Sequence, residues 1–136
     1  MVNGCRLSSF KKNSKVMNKD YTDLEVWQEC RKLTNLIYGL TKLFPKEEQF
    51  GLINQIRRGA VSVSSNIAEG CGRQTAKDTI NFLHISRGSL YEVETQCFVA
   101  LDQNYISKEQ FDDIFKTIQV CKRLLNGFIN YYKKLS

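Results

Sequence analysis

The sequence has few of the residues on which metal sites and nucleophilic centres are commonly built. It contains one histidine, His84, and five cysteines that are scattered singly without a Cys-x-x-Cys pair. A structural zinc site needs about four cysteine or histidine ligands at close spacings, so this pattern argues against one. An odd number of isolated cysteines also argues against a disulfide framework. The sequence predicts neither a metal site nor a cofactor.

Long apolar runs are also missing. No stretch reaches about eighteen consecutive apolar residues, and the N-terminus has no continuous apolar segment of signal-peptide length. These absences predict a cytoplasmic protein without membrane contact. One proline and eight glycines in 136 residues leave little room for a loop-rich or disordered chain. A single globular domain rich in helix is the expected class.

Positive charge is concentrated at the N-terminus. Residues 1–19 contain five basic residues and no acid, whereas residues 20–136 contain 15 basic and 14 acidic residues. We therefore expect residues 1–20 to form a flexible basic tail and residues 21–136 to form the folded domain. The tail is either an arm that binds nucleic acid or a solubilising leader, and its composition is compatible with both.

Apolar residues recur at alternating spacings of three and four in four segments, which is the pattern of amphipathic helices. The predicted helices lie near 23–44, 47–71, 75–103 and 107–134. None of the segments shows the alternation of a strand. Because the connections are only a few residues long, neighbouring helices should run antiparallel. The predicted fold is an all-α, up-down-up-down four-helix bundle.

Polar residues mark the predicted helix ends. Thr22, Thr75 and Ser107 each precede an acid or amide by three residues, so each is a candidate N-cap. Pro45 and the acids after it suit the first turn of the second helix. Gly72 suits a left-handed helix end.

The stretch SVSSNIAEGCGR, residues 62–73, combines three serines with a Gly-Cys-Gly turn. It has neither the strand nor the Gly-Lys-Ser/Thr of a phosphate-binding loop, and no histidine base accompanies its serines. These absences favour a protein that is not an enzyme. Small side chains instead let helix backbones approach closely, on the bundle seam and on a further face that contacts another subunit. The predicted oligomer interface comprises Gly59, Ser62, Ser65 and Asn66.

Arg87 and Glu94 interrupt the apolar seam of the third helix. We expect Glu69, Arg87 and Glu94 to be buried polar residues. Arg87 and Glu94 are seven residues apart, about 10.5 Å along a helix, so each needs its own partner from another helix. The alternative is a stripe that faces the wet centre of an oligomer.

Folding the predicted helices back on one another brings five basic residues near one level of the bundle. If they share a face, this belt would bind a phosphate backbone. Tyr131 and Tyr132 would either stack on bases or belong to the core. The residues of the belt are Arg57, Arg58, Arg87, Lys122 and Arg123.

Three stretches resemble a known family: DLEVWQ at 23–28, LFPKEEQFGLINQIRRGAVSVSSNIAEGCGR at 43–73 and FLHISRGSLYEVETQ at 82–96. The family is the four-helix bundle proteins encoded in intervening sequences of bacterial large-subunit ribosomal RNA genes, also labelled S23 ribosomal protein. It is related to the accessory variability proteins of diversity-generating retroelements. That resemblance implies a homopentameric barrel that binds nucleic acid and a reverse transcriptase.

Two functions follow as hypotheses. The first is a non-enzymatic homo-oligomer that binds RNA or DNA, structured RNA in particular, through its clustered basic residues. The second is an adaptor whose oligomeric surface recruits a partner enzyme such as a reverse transcriptase. Phosphate binding weakens steeply with salt, whereas an apolar protein interface does not.

Overall fold

The computed structural model describes residues 20–136, which contain four α-helices and no strand. The predicted basic tail lies outside the described residues except for Asp20. Two short 3-10 turns, Tyr21–Asp23 and Lys46–Glu48, precede the first and second helices. The helices are α1 (Glu25–Thr41), α2 (Leu52–Cys71), α3 (Ala76–Asp102) and α4 (Lys108–Leu135).

Contacts between side chains and backbone show the direction of the helices. The Thr79 hydroxyl donates to the Gly70 carbonyl at 2.8 Å. Two turns further along α3, the Ser86 hydroxyl donates to the Val63 carbonyl at 2.6 Å. Residue numbers therefore rise along α3 as they fall along α2. Each helix packs on the next, and α4 also packs on α1. The predicted up-down-up-down bundle is confirmed.

The core is built from the apolar seams of all four helices. Leu33, Ile56, Leu90 and Leu125, one from each helix, are completely buried. Burial of each such side chain contributes roughly 1.5–3 kcal/mol, which offsets the conformational entropy lost on folding. The described cysteines are all buried, and none of them forms a disulfide within residues 20–136. Desolvation raises the pKa of the Cys97 thiol to about 12, which keeps this thiol protonated.

Two of the predicted N-caps are confirmed and one is wrong. The Thr75 hydroxyl accepts from the Asp78 amide at 3.1 Å. Ser107 and Gln110 form a reciprocal capping box. Thr22 does not cap α1, whose N-cap is Leu24 without a side-chain bond. The local reason is that Asp20 accepts from the Thr22 amide at 3.0 Å, which starts a 3-10 turn ahead of the helix.

The second helix begins later than predicted, at residue 52 rather than 47. Its N-cap residue is Gly51, and the carboxylate of Glu48 accepts from the Leu52 amide at 3.0 Å and from the Tyr105 hydroxyl at 2.7 Å. These two bonds lower the pKa of Glu48, the backbone bond contributing most. The carboxylate thus joins the α1–α2 connection to the α3–α4 connection at one end of the bundle.

The left-handed helix end lies at Asn104 rather than at Gly72. Gly72 follows α2 with a right-handed φ of −85°, because its amide still bonds to carbonyls of the last turn. Asn104 has a φ of 62° and follows α3. The amides of Asn104 and Tyr105 donate to the Leu101 and Ala100 carbonyls, which completes a Schellman motif.

Candidate nucleic-acid interface

Arg57 of α2 is held in a fixed position against α1. Its Nε donates to the Thr41 hydroxyl at 2.8 Å, and a terminal nitrogen donates to the Tyr38 carbonyl at 3.4 Å. Its guanidinium carbon lies 4.7 Å from the centroid of the Tyr38 ring. All of these partners are neutral, so the positive charge is oriented without being neutralised.

A stripe of aromatic and basic residues along α1 continues from this arginine. On an ideal helix Trp27, Arg31, Tyr38 and Lys42 fall within about 60° of one another. The stripe lies beside α2, because Thr34 on the same side donates its hydroxyl to the Ala60 carbonyl at 3.0 Å. The Arg31 guanidinium carbon lies 5.5 Å from the centroid of the Trp27 ring. We name this surface the α1–α2 face; its residues are Trp27, Arg31, Tyr38, Lys42 and Arg57.

No acidic residue occurs in residues 30–46 or 49–68, the segments that supply most of this face. Within residues 20–136, neither Arg31 nor Arg57 takes part in an ion pair. Neighbouring cations without counter-charges raise the local positive potential and attract a polyanion. The α1–α2 face is therefore a basic surface without ion pairs within residues 20–136, and its aromatic rings are the exposed Tyr38 and the partly exposed Trp27.

Arg87, on α3, faces α4 on the other side of the bundle. Its guanidinium donates to the Asn126 side-chain oxygen at 3.0 Å. His84 lies one turn before Arg87 on α3. Its pKa is lowered by partial desolvation and, to a smaller extent, by the positive charges of Arg87 and Lys133. Arg87 is half-buried and has a partner on another helix, although that partner is an amide rather than a carboxylate.

Lys122 of α4 is neutralised. Its ammonium lies 3.1 and 3.2 Å from the two carboxylate oxygens of Glu94 and 5.1 Å from the centroid of the Tyr91 ring. Gln119 donates a further bond to Glu94 at 3.1 Å. The side chains of Lys122 and Glu94 are only 26% and 16% exposed, so the pair is largely shielded from solvent. Glu94 thus pairs with Lys122 of α4, whereas Arg87 bonds to Asn126.

The five residues of the predicted belt do not share a face, and that interpretation is corrected. Arg57 lies between α1 and α2, whereas Arg87 and Lys122 lie between α3 and α4, on the opposite side of the four-helix ring. Arg58 is exposed and lines a polar groove of 460 Å³ between α2 and α3. Arg123 is exposed on α4. The antiparallel pairing of the helices sets the height of these residues along the bundle. The direction of each side chain around its helix sets the side of the bundle on which it lies, and these sides differ.

The predicted oligomer interface stays a prediction, and three of its residues also make contacts inside the chain. A Cβ on Gly59 would lie 3.1 Å from a methyl group of Val93, so the glycine allows α2 and α3 to approach closely. The Ser62 hydroxyl lies 2.9 Å from that of Ser89. The Asn66 amide donates to the Ser62 carbonyl and hydroxyl, both at 2.9 Å. Only Ser65 of the four is exposed.

The prediction that Glu69 is buried is wrong. Its side chain is 54% exposed and bonds to Arg73 at 3.2 Å, while Arg73 also pairs with Asp78 at 2.8 Å. At about 100° per residue, Glu69 lies about 160° around the helix from the buried Ile67, so its side chain faces solvent.

Residues of the stretch at 62–73 make contacts within the bundle. The Ser62 hydroxyl contacts another serine hydroxyl, and the only histidine of the chain, His84, is exposed on α3. In residues 20–136 no group of three or more histidine, cysteine or acidic side chains is placed to hold a metal ion. No helix in this part of the chain is long and apolar enough to span a membrane.

The sequence interpretation missed Trp27, Arg31, Tyr38 and Lys42. A signal for them exists: they recur at helical spacing in α1, outside the apolar seam, in a segment without acids. The contact of Arg57 with Tyr38 could not be found this way, because it joins two helices.

The fold and this surface define a class: an antiparallel four-helix bundle with a basic face. A comparison with family models makes the assignment more specific. The chain belongs to the 23S rRNA-intervening sequence protein family, whose model matches residues 22–127. The resemblance noted in the sequence is thereby confirmed.

A solved structure supports the same relationship. It is the crystal structure of a protein of unknown function from the S23 ribosomal protein family of Bacteroides thetaiotaomicron, with a TM-score of 0.71 and 27% sequence identity. The alignment covers 77% of this chain and 95% of that one. Among curated proteins, none matches this chain.

Proposed function

We propose that this protein is a non-enzymatic, homo-oligomeric bundle that binds nucleic acid, structured RNA in particular, through the α1–α2 face. The observation that carries the proposal is Arg57, which is oriented by neutral groups and takes part in no ion pair within residues 20–136. An arginine fixed in this way has little conformational entropy left to lose when it contacts a phosphate. Two of its five N–H donors bond to the protein.

The α1–α2 face differs in this respect from the rest of the basic surface. Lys122 is bound to Glu94, and Arg73 is bound to two acids, so a phosphate would have to displace a carboxylate there. A phosphate at the α1–α2 face displaces only water. The proposed binding residues are Arg31, Lys42 and Arg57.

The test compares two variants of equal net charge. Arg31→Glu with Lys42→Glu alters the α1–α2 face, and Lys116→Glu with Arg123→Glu alters exposed positions on α4. We expect the first pair to weaken the affinity for a stem-loop RNA at least about tenfold at low salt and to reduce the salt slope by about 1.5. The second pair should have a much smaller effect. Equal losses would show that only net charge matters, and an unmodified protein without salt-sensitive binding would refute the proposal.

The homo-oligomer is proposed from the family resemblance, which implies five subunits, together with one structural feature. Ile85 and Val99 on the outer side of α3 are 52% and 40% exposed. Exposed apolar residues along one side of a helix are common at subunit contacts. Sedimentation equilibrium should give a mass several times 15.7 kDa. The variant Ser65→Trp should reduce that mass while the helical content stays unchanged; a monomeric parent protein would contradict the assembly.

The adaptor remains a second candidate because of Phe50. This aromatic residue, in the connection between α1 and α2, is 89% exposed, and Leu43 nearby in the sequence is 53% exposed. Exposed aromatic residues are enriched at protein interfaces. If the adaptor function is correct, Phe50→Ser should abolish capture of a partner protein, and that capture should be insensitive to salt.

A further inference from the structure

The aromatic residues of the α1–α2 face provide chemistry that phosphate binding does not need. Tyr38 is 40% exposed and does not belong to the buried core of the bundle. Arg57 lies over its ring, and the Tyr38 carbonyl is one of the groups that orient this arginine. An exposed ring beside a fixed cation matches a nucleotide, which offers a flat base and a phosphate a short distance apart.

A second aromatic and cation pair lies on the same face. Trp27 is partly exposed, with Arg31 over its ring and Tyr21 packed against it at a centroid distance of 5.4 Å. Trp27 and Tyr38 are eleven residues apart, which is about 16 Å along α1. The α1–α2 face therefore presents two aromatic platforms in line, each accompanied by an arginine.

Paired and unpaired nucleic acids would use these rings differently. In a duplex the bases are stacked on one another and only phosphates, sugars and groove edges reach a protein surface. Unpaired nucleotides in loops and bulges can turn their bases onto aromatic side chains. Exposed rings on a basic face can therefore stack on unpaired bases but not on the paired bases of a duplex.

We propose that the α1–α2 face binds unpaired nucleotides of RNA, whose bases stack on Tyr38 and Trp27 while Arg57 and Arg31 contact the adjacent phosphates. This inference rests on the proposed function and narrows it to a class of ligand. It predicts that a structured RNA is held by a loop or bulge rather than by its paired stem.

The experiment compares a stem-loop RNA with a fully paired RNA duplex of the same length, using the full chain. The chain has one tryptophan, so fluorescence reports directly on Trp27. We expect the stem-loop to quench this fluorescence and the duplex to leave it unchanged. We also expect Tyr38→Leu to weaken stem-loop binding at least about fivefold and to leave duplex binding unchanged, because stacking is lost and phosphate contacts remain.

Tyr91 supplies the matched control. It is 42% exposed and lies under the Lys122 ammonium, but it is on the opposite side of the bundle. Tyr91→Leu should leave binding of both RNAs unchanged, and Tyr38→Phe should keep the parent affinity because it retains the ring. Circular dichroism verifies that each variant is folded.

The outcomes separate the two proposals. Equal affinity for the stem-loop and the duplex, without quenching and without an effect of Tyr38→Leu, would overturn the unpaired-nucleotide inference and leave nucleic-acid binding intact. The absence of binding to either RNA at low salt would overturn both.

Discussion

Two regions of this bundle have the same ingredients in different electrostatic settings. The α1–α2 face places Arg57 4.7 Å from the ring of Tyr38, and the α3–α4 side places Lys122 5.1 Å from the ring of Tyr91. Both tyrosines have similar exposure. The difference is Glu94, which neutralises Lys122, whereas Arg57 is oriented by a hydroxyl and a carbonyl.

This difference shows why the number of basic residues does not identify a binding surface. The last part of α4, residues 114–135, contains five basic residues and no acid. Its half-buried lysine is nevertheless paired, because Glu94 reaches it from α3. A cation binds an added anion strongly only where its charge is not already compensated.

The largest expected difference between Lys122 and Arg57 is in the free energy of unfolding that is lost when each is replaced. Lys122→Met leaves the Glu94 carboxylate largely buried with Gln119 as its remaining partner, so we expect a loss of about 2 kcal/mol in the free energy of unfolding. Arg57→Met removes bonds to neutral acceptors and should cost about 1 kcal/mol. Urea unfolding followed by circular dichroism measures both. If Arg57→Met costs more than Lys122→Met, the assignment of the two roles is wrong.

A smaller effect is expected when the compensation is removed from the α3–α4 side. Glu94→Gln releases the charge of Lys122, so the affinity for RNA should rise about threefold at low salt. Glu92→Gln changes the net charge by the same amount at an exposed position of α3 and is the control. Equal gains from the two variants would mean that Glu94 has no specific role in masking Lys122.

The smallest effect concerns pH. Partial desolvation, Arg87 and Lys133 lower the pKa of His84 from its ordinary value of 6.5, and the unfolded chain lacks this perturbation. The protein therefore binds this proton less readily when folded, and His84 contributes a loss of stability as pH falls from about 6.5 through the lower folded pKa. His84→Gln should flatten this part of the stability profile. An unchanged profile between pH 7 and pH 5 would contradict the role given to His84.

The sequence by itself determined the four helices, their order and their antiparallel packing. These properties follow from apolar spacing and short connections, which act locally or between neighbours in the chain. Thr75 and Ser107 could be assigned as caps because a cap involves residues only three positions apart. The start of α2 could not be assigned in this way, because Glu48, which bonds to the Leu52 amide, is also held by Tyr105 from the connection between α3 and α4.

Only the tertiary structure decided how the charges and small residues are used. Periodicity predicts which side of a helix is buried but not which neighbour each half-buried side chain contacts, and this ambiguity placed five basic residues in one belt. The same limit applies to Ser62, whose partner Ser89 lies on the neighbouring helix and is set only by the packing of α2 against α3. Compensation of a charge depends on atoms a few ångströms apart from different helices, and the distance between such atoms is a property of the packed bundle rather than of either segment.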